Sequence, residues 1–403
     1  MKKVTLDEVC ELIVDCEHKT APKQDAGYPS IRTPNIGRGY FILENVNRVS
    51  RETYEKWTQR AVPQYGDLII AREAPVGNVA MIPKGLEVCL GQRTVLIRPD
   101  QTKTDSRFLT YLLLGDEVQG SIHSQTNGAT VAHLNMRDIR SLELPFLPDL
   151  PTQRKIAGIL SAYDDLIENN LRRIKILEEM AQSLYREWFV HFRFPGHESA
   201  RFIDSELGLI PKGWAVVPMG DFVQFRSGFA FKSSKFTEEG EHRLVTIKNV
   251  QDGVFNPVSD SRMDELPEKL PSYCILKDGD ILLSLTGNVG RVCLVYAGPF
   301  LLNQRIAKLS PVSSFDWMLA YCVFRSPEMR NALEMLSNGV AQQNLSPVQA
   351  SKMNFTQPPE ILRERFASIA EPIGCQIIQL YNANQNLRRT RDLLLPKLLP
   401  TQH

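Results

Sequence analysis

GDLIIAREAPVGNVA (residues 66–80) and GDILLSLTGNVGRVC (residues 279–293) are two renderings of one sequence. Gly66 and Gly279, Asp67 and Asp280, Gly77 and Gly290, and Val79 and Val292 are each 213 residues apart. The echo extends outward. CLGQRTVLIRP (89–99) answers LLNQRIAKLSP (301–311), with Gln92 and Gln304 offset by 212, and NGATVAHLN (127–135) answers NGVAQQNLS (338–346), offset by 211. This period is too long for a solenoid repeat. It implies two copies of one globular module, each followed by its own helix. Two similar heads on one frame suit a ligand with two similar sites a fixed distance apart.

Each module opens on a matched amphipathic stretch, Val4–Ile13 in the first and Val216–Phe225 in the second. Short apolar runs follow, broken by Gly, Pro, Asn and Asp: 28–36, 67–74, 79–85 and 88–99. Their β-branched residues and turn punctuation predict strands in an irregular sheet. Residues 107–124 and 317–336 carry helical spacing, so each module is read as α+β.

Two long helices are predicted. No Gly or Pro occurs from Ile159 to Phe194. From Ile167 the apolar residues Leu171, Ile174, Leu177, Ala181, Leu184 and Trp188 follow at near-heptad spacing. Thr152 is a plausible N-cap and Pro195-Gly196 a stop, giving a helix over 152–194, roughly 60 Å long at about 1.5 Å per residue. After Pro358-Pro359 a second stripe runs through Ile369, Ile373, Ile377, Leu380, Asn384, Leu387, Arg391 and Leu394. Asn384 and Arg391 mark either a helix edge turning to solvent or polar residues that fix register against another helix. Single-faced helices need a partner in water. The simplest solution pairs these two with each other, antiparallel, with one module at each end.

Composition narrows the class. The chain has 403 residues, 43% hydrophobic and 23% charged, enough for two domains with real cores. No apolar run approaches the ~18–20 residues of a membrane span. Asp7, Glu8 and Glu11 interrupt what would be the apolar part of a signal peptide, which points to the cytoplasm. The seven cysteines are scattered and form no CxxC pair, so they read as reduced, mostly buried thiols. Residues 1–150 carry 18 basic and 19 acidic side chains, and residues 201–358 carry 16 and 16. A stand-alone DNA binder has a basic excess. A nucleic-acid partner here requires cations segregated on one face, or phosphate contacts supplied by another protein.

Catalytic motifs are missing. There is no phosphate-binding loop of the G-x-x-x-x-G-K-[ST] type. There is no Asn/Asp-Pro-Pro-aromatic tetrapeptide of the kind that holds a target amino group in amino-methyltransferases. Gly37 and Gly39 form a lone GxG and read as a turn. The histidines show no HxxxH pairing; His18 and His133 lie in loop-like sequence, as packing or as ligand contacts. Asp164-Asp165 is explained as acid near a helix N-terminus. No catalytic residue and no metal site is assigned.

At this point the residues resemble a known family. LPFLPDLPTQRKIAGILSAYDDLIENNLRRIKILEEMAQSLYREWFVHFRFPGHE (144–198), DSELGLIPKGW (204–214) and RTRDLLLPKLL (389–399) are similar to the conserved regions of the specificity (S) subunit of Type I restriction–modification systems. IRTPNI, REAPVGNVA and CLGQRTVLIRP resemble one class of its target-recognition domains. The resemblance covers essentially the whole chain. PEILRERFASIAEP (359–372) departs from it in lacking the Glu-Gln that commonly opens the second conserved helix.

The resemblance implies an α+β protein of two target-recognition domains separated by two long antiparallel helices forming a coiled-coil spacer. The domains are expected at 1–150 and 195–358, the latter with a connecting linker at 195–213. The conserved helices are expected at 151–194 and 359–403. Each domain would read one half of a split target in double-stranded DNA. The helices would set the unread spacer and dock two methyltransferase (M) subunits, and restriction/translocase (R) subunits would join through the complex. No membrane partner is implied. S-adenosylmethionine, ATP and Mg would belong to the partner subunits, which methylate adenine and cleave unmodified DNA in phage defence. The chain itself would perform no chemistry.

Contact residues follow by type, since Arg, Lys, Asn and Gln read base edges in the major groove. In the first module the candidates are Lys19, Lys23, Arg32, Arg72, Arg93, Asn127, Thr130 and His133. In the second they are Lys232, Lys235, Lys248, Asn288, Arg291, Arg305, Gln342, Gln343 and Asn344. Asn-Gly at 127–128 and 338–339 is equally a plain turn signal, and Arg93 and Arg305 suit structural ion pairs as well as DNA contacts. The helix seam is assigned to Ile167, Leu171, Ile174, Leu177, Leu184, Trp188, Ile373, Ile377, Leu380, Leu387 and Leu394. Two other readings stay open: a non-catalytic two-headed protein-binding adaptor on an antiparallel coiled coil, and an enzyme with an unrecognised site between the modules.

Overall fold

In the computed structural model, which describes residues 4–126, 133–337 and 344–399, Leu68–Ala71 is a strand with all four side chains buried. Its alternation divides the interior of the first module. Leu68 and Ile70 pack with Val95, Ile97, Phe108 and Leu112, whereas Ile69 and Ala71 pack with Leu96, Ile31 and Val88. Successive side chains on a strand point to opposite faces, so a strand covered on both faces is apolar throughout. The main sheet is antiparallel in the order Cys10–Asp15, Thr94–Pro99, Leu68–Ala71, Val79–Met81. A smaller sheet places Tyr28–Ile31 between Arg48–Val49 and Cys89–Leu90, the last pair parallel. The predicted helix at 107–124 is two helices, Ser106–Leu114 and Asp116–Thr126, broken at Gly115.

The second module repeats this plan. Its main sheet runs Val223–Ser227, Ile306–Pro311, Ile281–Ser284, Val292–Leu294. His242–Val245 again pairs in parallel with a later strand, Phe300–Leu302. Ile281 and Leu283 face the side of the helices Trp317–Arg325 and Pro327–Leu336, and Leu282 faces Val245, Phe255 and Phe300. The repeated Gly-Asp is a turn. Gly66 and Gly279 both have φ of 89°, a left-handed conformation that favours glycine. Asp67 and Asp280 each accept from the backbone N–H three residues earlier, at 3.0 and 2.8 Å. Each carboxylate has a cation, Arg98 at 2.7 Å and Lys308 at 2.7 Å, taken from different places on the neighbouring strand.

The described residues divide into two compact units: Met1–Leu166 with Leu387–His403, and Ile167–Asn386. The central helix spans Leu150–Tyr185 and continues as a π turn, Arg186–Val190. It starts earlier than predicted, because Asp149 rather than Thr152 caps it: the Thr152 N–H donates to Asp149 Oδ1 at 3.2 Å. The terminal helix spans Glu360–Leu398. Within the second unit the two helices run antiparallel. Asn170 donates to Asn384 at 2.8 Å, and 18 residues on in one helix and back in the other, the Trp188 and Phe366 rings lie 6.0 Å apart.

Of the predicted seam, Ile167, Ile174, Trp188, Ile377 and Leu380 are buried, and Leu177, Leu184, Ile373, Leu387 and Leu394 are half-buried. Leu171 is a correction. It is 41% exposed, and Asn170, three residues after Ile167, takes the inward position. Ile369 is likewise exposed. Asn384 is fully buried against Asn170 and does not turn to solvent.

Asp164 is also reassigned. It lies about four turns into the helix, beyond the reach of the terminal dipole. In the first unit it accepts from the Tyr111 hydroxyl at 2.5 Å and pairs with Arg391. Among the described residues, no helix is long and apolar enough to cross a membrane.

Candidate nucleic-acid interface

Three segments distant in sequence meet at one end of the first main sheet. The Arg72 N–H donates to the Arg93 carbonyl at 2.9 Å, and the Leu134 N–H donates to the Arg72 carbonyl at 2.9 Å. Around these bonds His18, Arg72, Glu73, Gln92, Arg93 and His133 line a cleft of about 360 Å³.

Its side chains form one connected chain. Arg72 is buried; its Nη1 donates to both oxygens of Asp15 (2.9 and 2.8 Å), its Nε to the Leu134 carbonyl (2.9 Å), and its Nη2 meets His133 Nε2 (3.0 Å). A guanidinium only donates, so His133 Nε2 must accept and the ring proton sits on Nδ1. That Nδ1 faces Glu73 Oε1 at 3.2 Å, and Glu73 Oε2 holds Arg93 Nη1 at 2.5 Å. Asp15 neutralises Arg72 at the buried end. Arg93 lies at the open end, 61% exposed, with φ of 67°. A non-glycine residue in that region persists where its surroundings over-determine it, commonly at functional sites.

The second module keeps the backbone frame and changes the side chains. The Leu285 N–H donates to the Arg305 carbonyl (3.0 Å), and the Leu345 N–H to the Leu285 carbonyl (2.8 Å). Leu285 thus stands where Arg72 does, Thr286 where Glu73 does, and Asn344 where His133 does. Strand pairing sets Asp15 against Val95 and Ser227 against Ala307, so both members of the buried Asp15–Arg72 pair are replaced together. Gln92-Arg93 and Gln304-Arg305 are kept. Arg305 is exposed, and Asn344 is exposed with its backbone bridged to Thr286.

The other candidates do not join these hydrogen-bonded frames. Arg32 opens on a neighbouring groove that shares Gln92, and its buried Nε has no protein partner. Lys19, Lys23, Lys232, Lys235 and Asn288 are exposed. Lys248, also exposed, lies 3.7 Å from Asp260. Arg291 is engaged within the protein: its Nη1 donates to Gln251 at 2.5 Å. Asn127, Thr130, Gln342 and Gln343 lie outside the described residues. Gly37 and Gly39 do form a turn, closed by the Gly37 N–H on the Tyr40 carbonyl at 2.8 Å.

Sequence reasoning missed Asp15 and Glu73. Glu73 had a signal, because it diverges to Thr286 inside the most similar stretch of the repeat; Asp15 had none, since its role depends on a partner 57 residues away. Asp15, Cys16 and His18 offer ligand atoms within 4.8 Å of one another. They fit a metal poorly, because Arg72 occupies both Asp15 oxygens and burial pushes the Cys16 thiol up.

The family model described as the Type I restriction modification DNA specificity domain matches residues 1–179 and 211–362. The chain is 25% identical to the MjaIX specificity subunit of a Type I restriction enzyme from Methanocaldococcus jannaschii, over 89% of this chain and 82% of that protein. It is 22% identical to the HindI specificity subunit from Haemophilus influenzae, over 83% and 86%. Its fold is similar to the crystal structure of a Type I restriction–modification S subunit from M. genitalium, with a TM-score of 0.59 at 18% identity over 100% of this chain and 96% of that one.

Proposed function

The chain belongs to the Type I restriction–modification DNA specificity family, as its non-catalytic target-recognition subunit, and from that premise we propose that each module reads one half of a bipartite DNA target through the cleft beside Arg93 or Arg305. The target-recognition domains are 1–150 and 195–358, with a linker at 195–213, and the conserved helices are 151–194 and 359–403. The helices set the unread spacer and dock methyltransferase subunits, two in number. Restriction/translocase subunits join through that complex in the cytoplasm, and S-adenosylmethionine, ATP and Mg belong to those partners.

One observation carries the reading. Equivalent backbone hydrogen bonds frame both clefts, while Arg72, Glu73, His133 and Asp15 give way to Leu285, Thr286, Asn344 and Ser227. A common scaffold with different side chains is what two readers of different sequences require, because base edges are distinguished by donor and acceptor pattern. The neutral balance of both modules supports partner subunits supplying much of the phosphate contact. Mapping methylated adenine in DNA from cells carrying the complete system tests this. Two short read sequences separated by a fixed unread gap are expected; a single contiguous motif would count against it.

A further inference from the structure

We infer that Glu73 and Arg93 act as a pair that reads one G·C base pair in the half-site of the first module, with guanine on the guanidinium and the cytosine amino group on the carboxylate. This rests on the proposed reading of the cleft as a DNA face.

A carboxylate facing duplex DNA is repelled by phosphate. It contributes binding there only by accepting a hydrogen bond from a base amino group, which in the major groove means cytosine N4 or adenine N6. Arg93 decides between them. Its Nη1 is 2.5 Å from Glu73 Oε2, so the two groups lie side by side and meet neighbouring positions on a base-pair edge. Guanine O6 and N7 accept from a guanidinium, and the paired cytosine presents its N4 donor next to them. An A·T pair would set the adenine N6 donor against guanidinium donors.

The pair is held in place before DNA arrives. Glu73 is 15% exposed and anchored by His133 Nδ1 at 3.2 Å, and His133 is anchored by Arg72. The Arg93 backbone, at φ 67°, is tied to the cleft by its carbonyl, which accepts from the Arg72 N–H. Groups ordered in advance lose less conformational entropy on binding. A carboxylate has about four acceptor sites, so contacts to Arg93 and His133 leave capacity for an N4 amino group. In the second module Thr286 stands where Glu73 does, and an exposed Arg305 stands where Arg93 does. That module keeps a guanine reader without the carboxylate that checks cytosine.

The test maps methylated sites in cells carrying the complete system with wild-type, Glu73→Gln or Arg93→Ala subunit. The wild-type half-site of the first module should contain a G·C pair. Both variants should relax the preference at that one position by roughly 10- to 100-fold, leaving the other half-site and the spacer unchanged. A first half-site without G·C, or relaxation by the two variants at different positions, overturns the pairing. Relaxation by Arg93→Ala alone overturns the role of Glu73 and leaves the DNA-face reading standing. An unchanged motif in both variants removes the DNA-face reading as well. Should Glu73→Gln abolish methylation, Glu73→Thr, carrying the residue that the second module folds with, repeats the test; loss there too makes Glu73 structural and overturns the proposal.

Discussion

The buried Asn170–Asn384 pair makes an asymmetric prediction. Asn170 is 4% exposed and Asn384 0%. Asn170 Nδ2 donates to Asn384 Oδ1 at 2.8 Å, and Asn384 Nδ2 has no protein acceptor. Asn170→Leu therefore orphans the Asn384 carbonyl while keeping its orphaned amide, a loss of about 1–3 kcal/mol for the newly unpaired group. Asn384→Leu orphans the Asn170 amide but removes an amide that was already orphaned. The two changes offset, and the net effect should lie within about 1 kcal/mol. Leucine burial adds similarly in both variants, so the ranking survives it. The double variant leaves neither amide unpaired and should be at least as stable as wild type, with a coupling of at least about 1–3 kcal/mol in the double-mutant cycle. Trp188, Trp214 and Trp317 all lie in the second unit with this pair, so tryptophan emission during urea unfolding reports on it. Equal losses in the two single variants, or an additive cycle, would contradict this asymmetry.

Three further outcomes follow from the same packing. A Cβ on Gly374 would stand 2.3 Å from Met318 Sδ and 2.7 Å from the Trp317 ring, so Gly374→Val should destabilise the second unit by about 1–3 kcal/mol in the same urea assay. Burial pushes the Glu178 carboxyl up, although the Tyr321 hydroxyl donates to it at 2.7 Å. A folded value above the unfolded one means that its stabilising contribution is full below the unfolded value and is lost as pH rises through the folded value. Glu178→Gln cannot titrate, so it should gain on wild type in unfolding free energy as pH is raised from about 4 to about 8; a difference that stays flat would remove Glu178 as the titrating group. Finally, inserting four residues at 166/167 together with four at 386/387 adds about 6 Å and slightly more than one full turn to each helix. The methylated site should keep both half-sequences and gain roughly one or two unread base pairs, at about 3.4 Å each. An unchanged spacer would show that the helices are not the ruler.

The repeat was legible because it is local. Gly66-Asp67 and Gly279-Asp280 require the same left-handed turn, and the apolar runs after them require the same doubly covered strand. The long helices were legible from their period, but their inner faces were only partly so. Spacing alone accepts Leu171 and passes over Asn170, since hydrophobicity cannot reveal an asparagine whose partner, Asn384, is 214 residues away. Asp164 is hidden from spacing for the same reason: its partners, Tyr111 and Arg391, come from elsewhere in the first unit. At the cleft, residue type picked out Arg72, Arg93 and His133, which do come together. It could not distinguish the exposed Arg93 from the buried Arg72, whose role is fixed by Asp15, at the end of a strand two places away in the sheet.

We propose that each module reads its own half-site on a shared scaffold. The most direct test replaces residues 1–150 with the equivalent module of another specificity subunit and maps methylated adenines in cells carrying the complete system. One half of the methylated sequence should change to that of the donor, while the other half and the spacer stay as they were. A change in both halves, in a complex that still methylates, would contradict it.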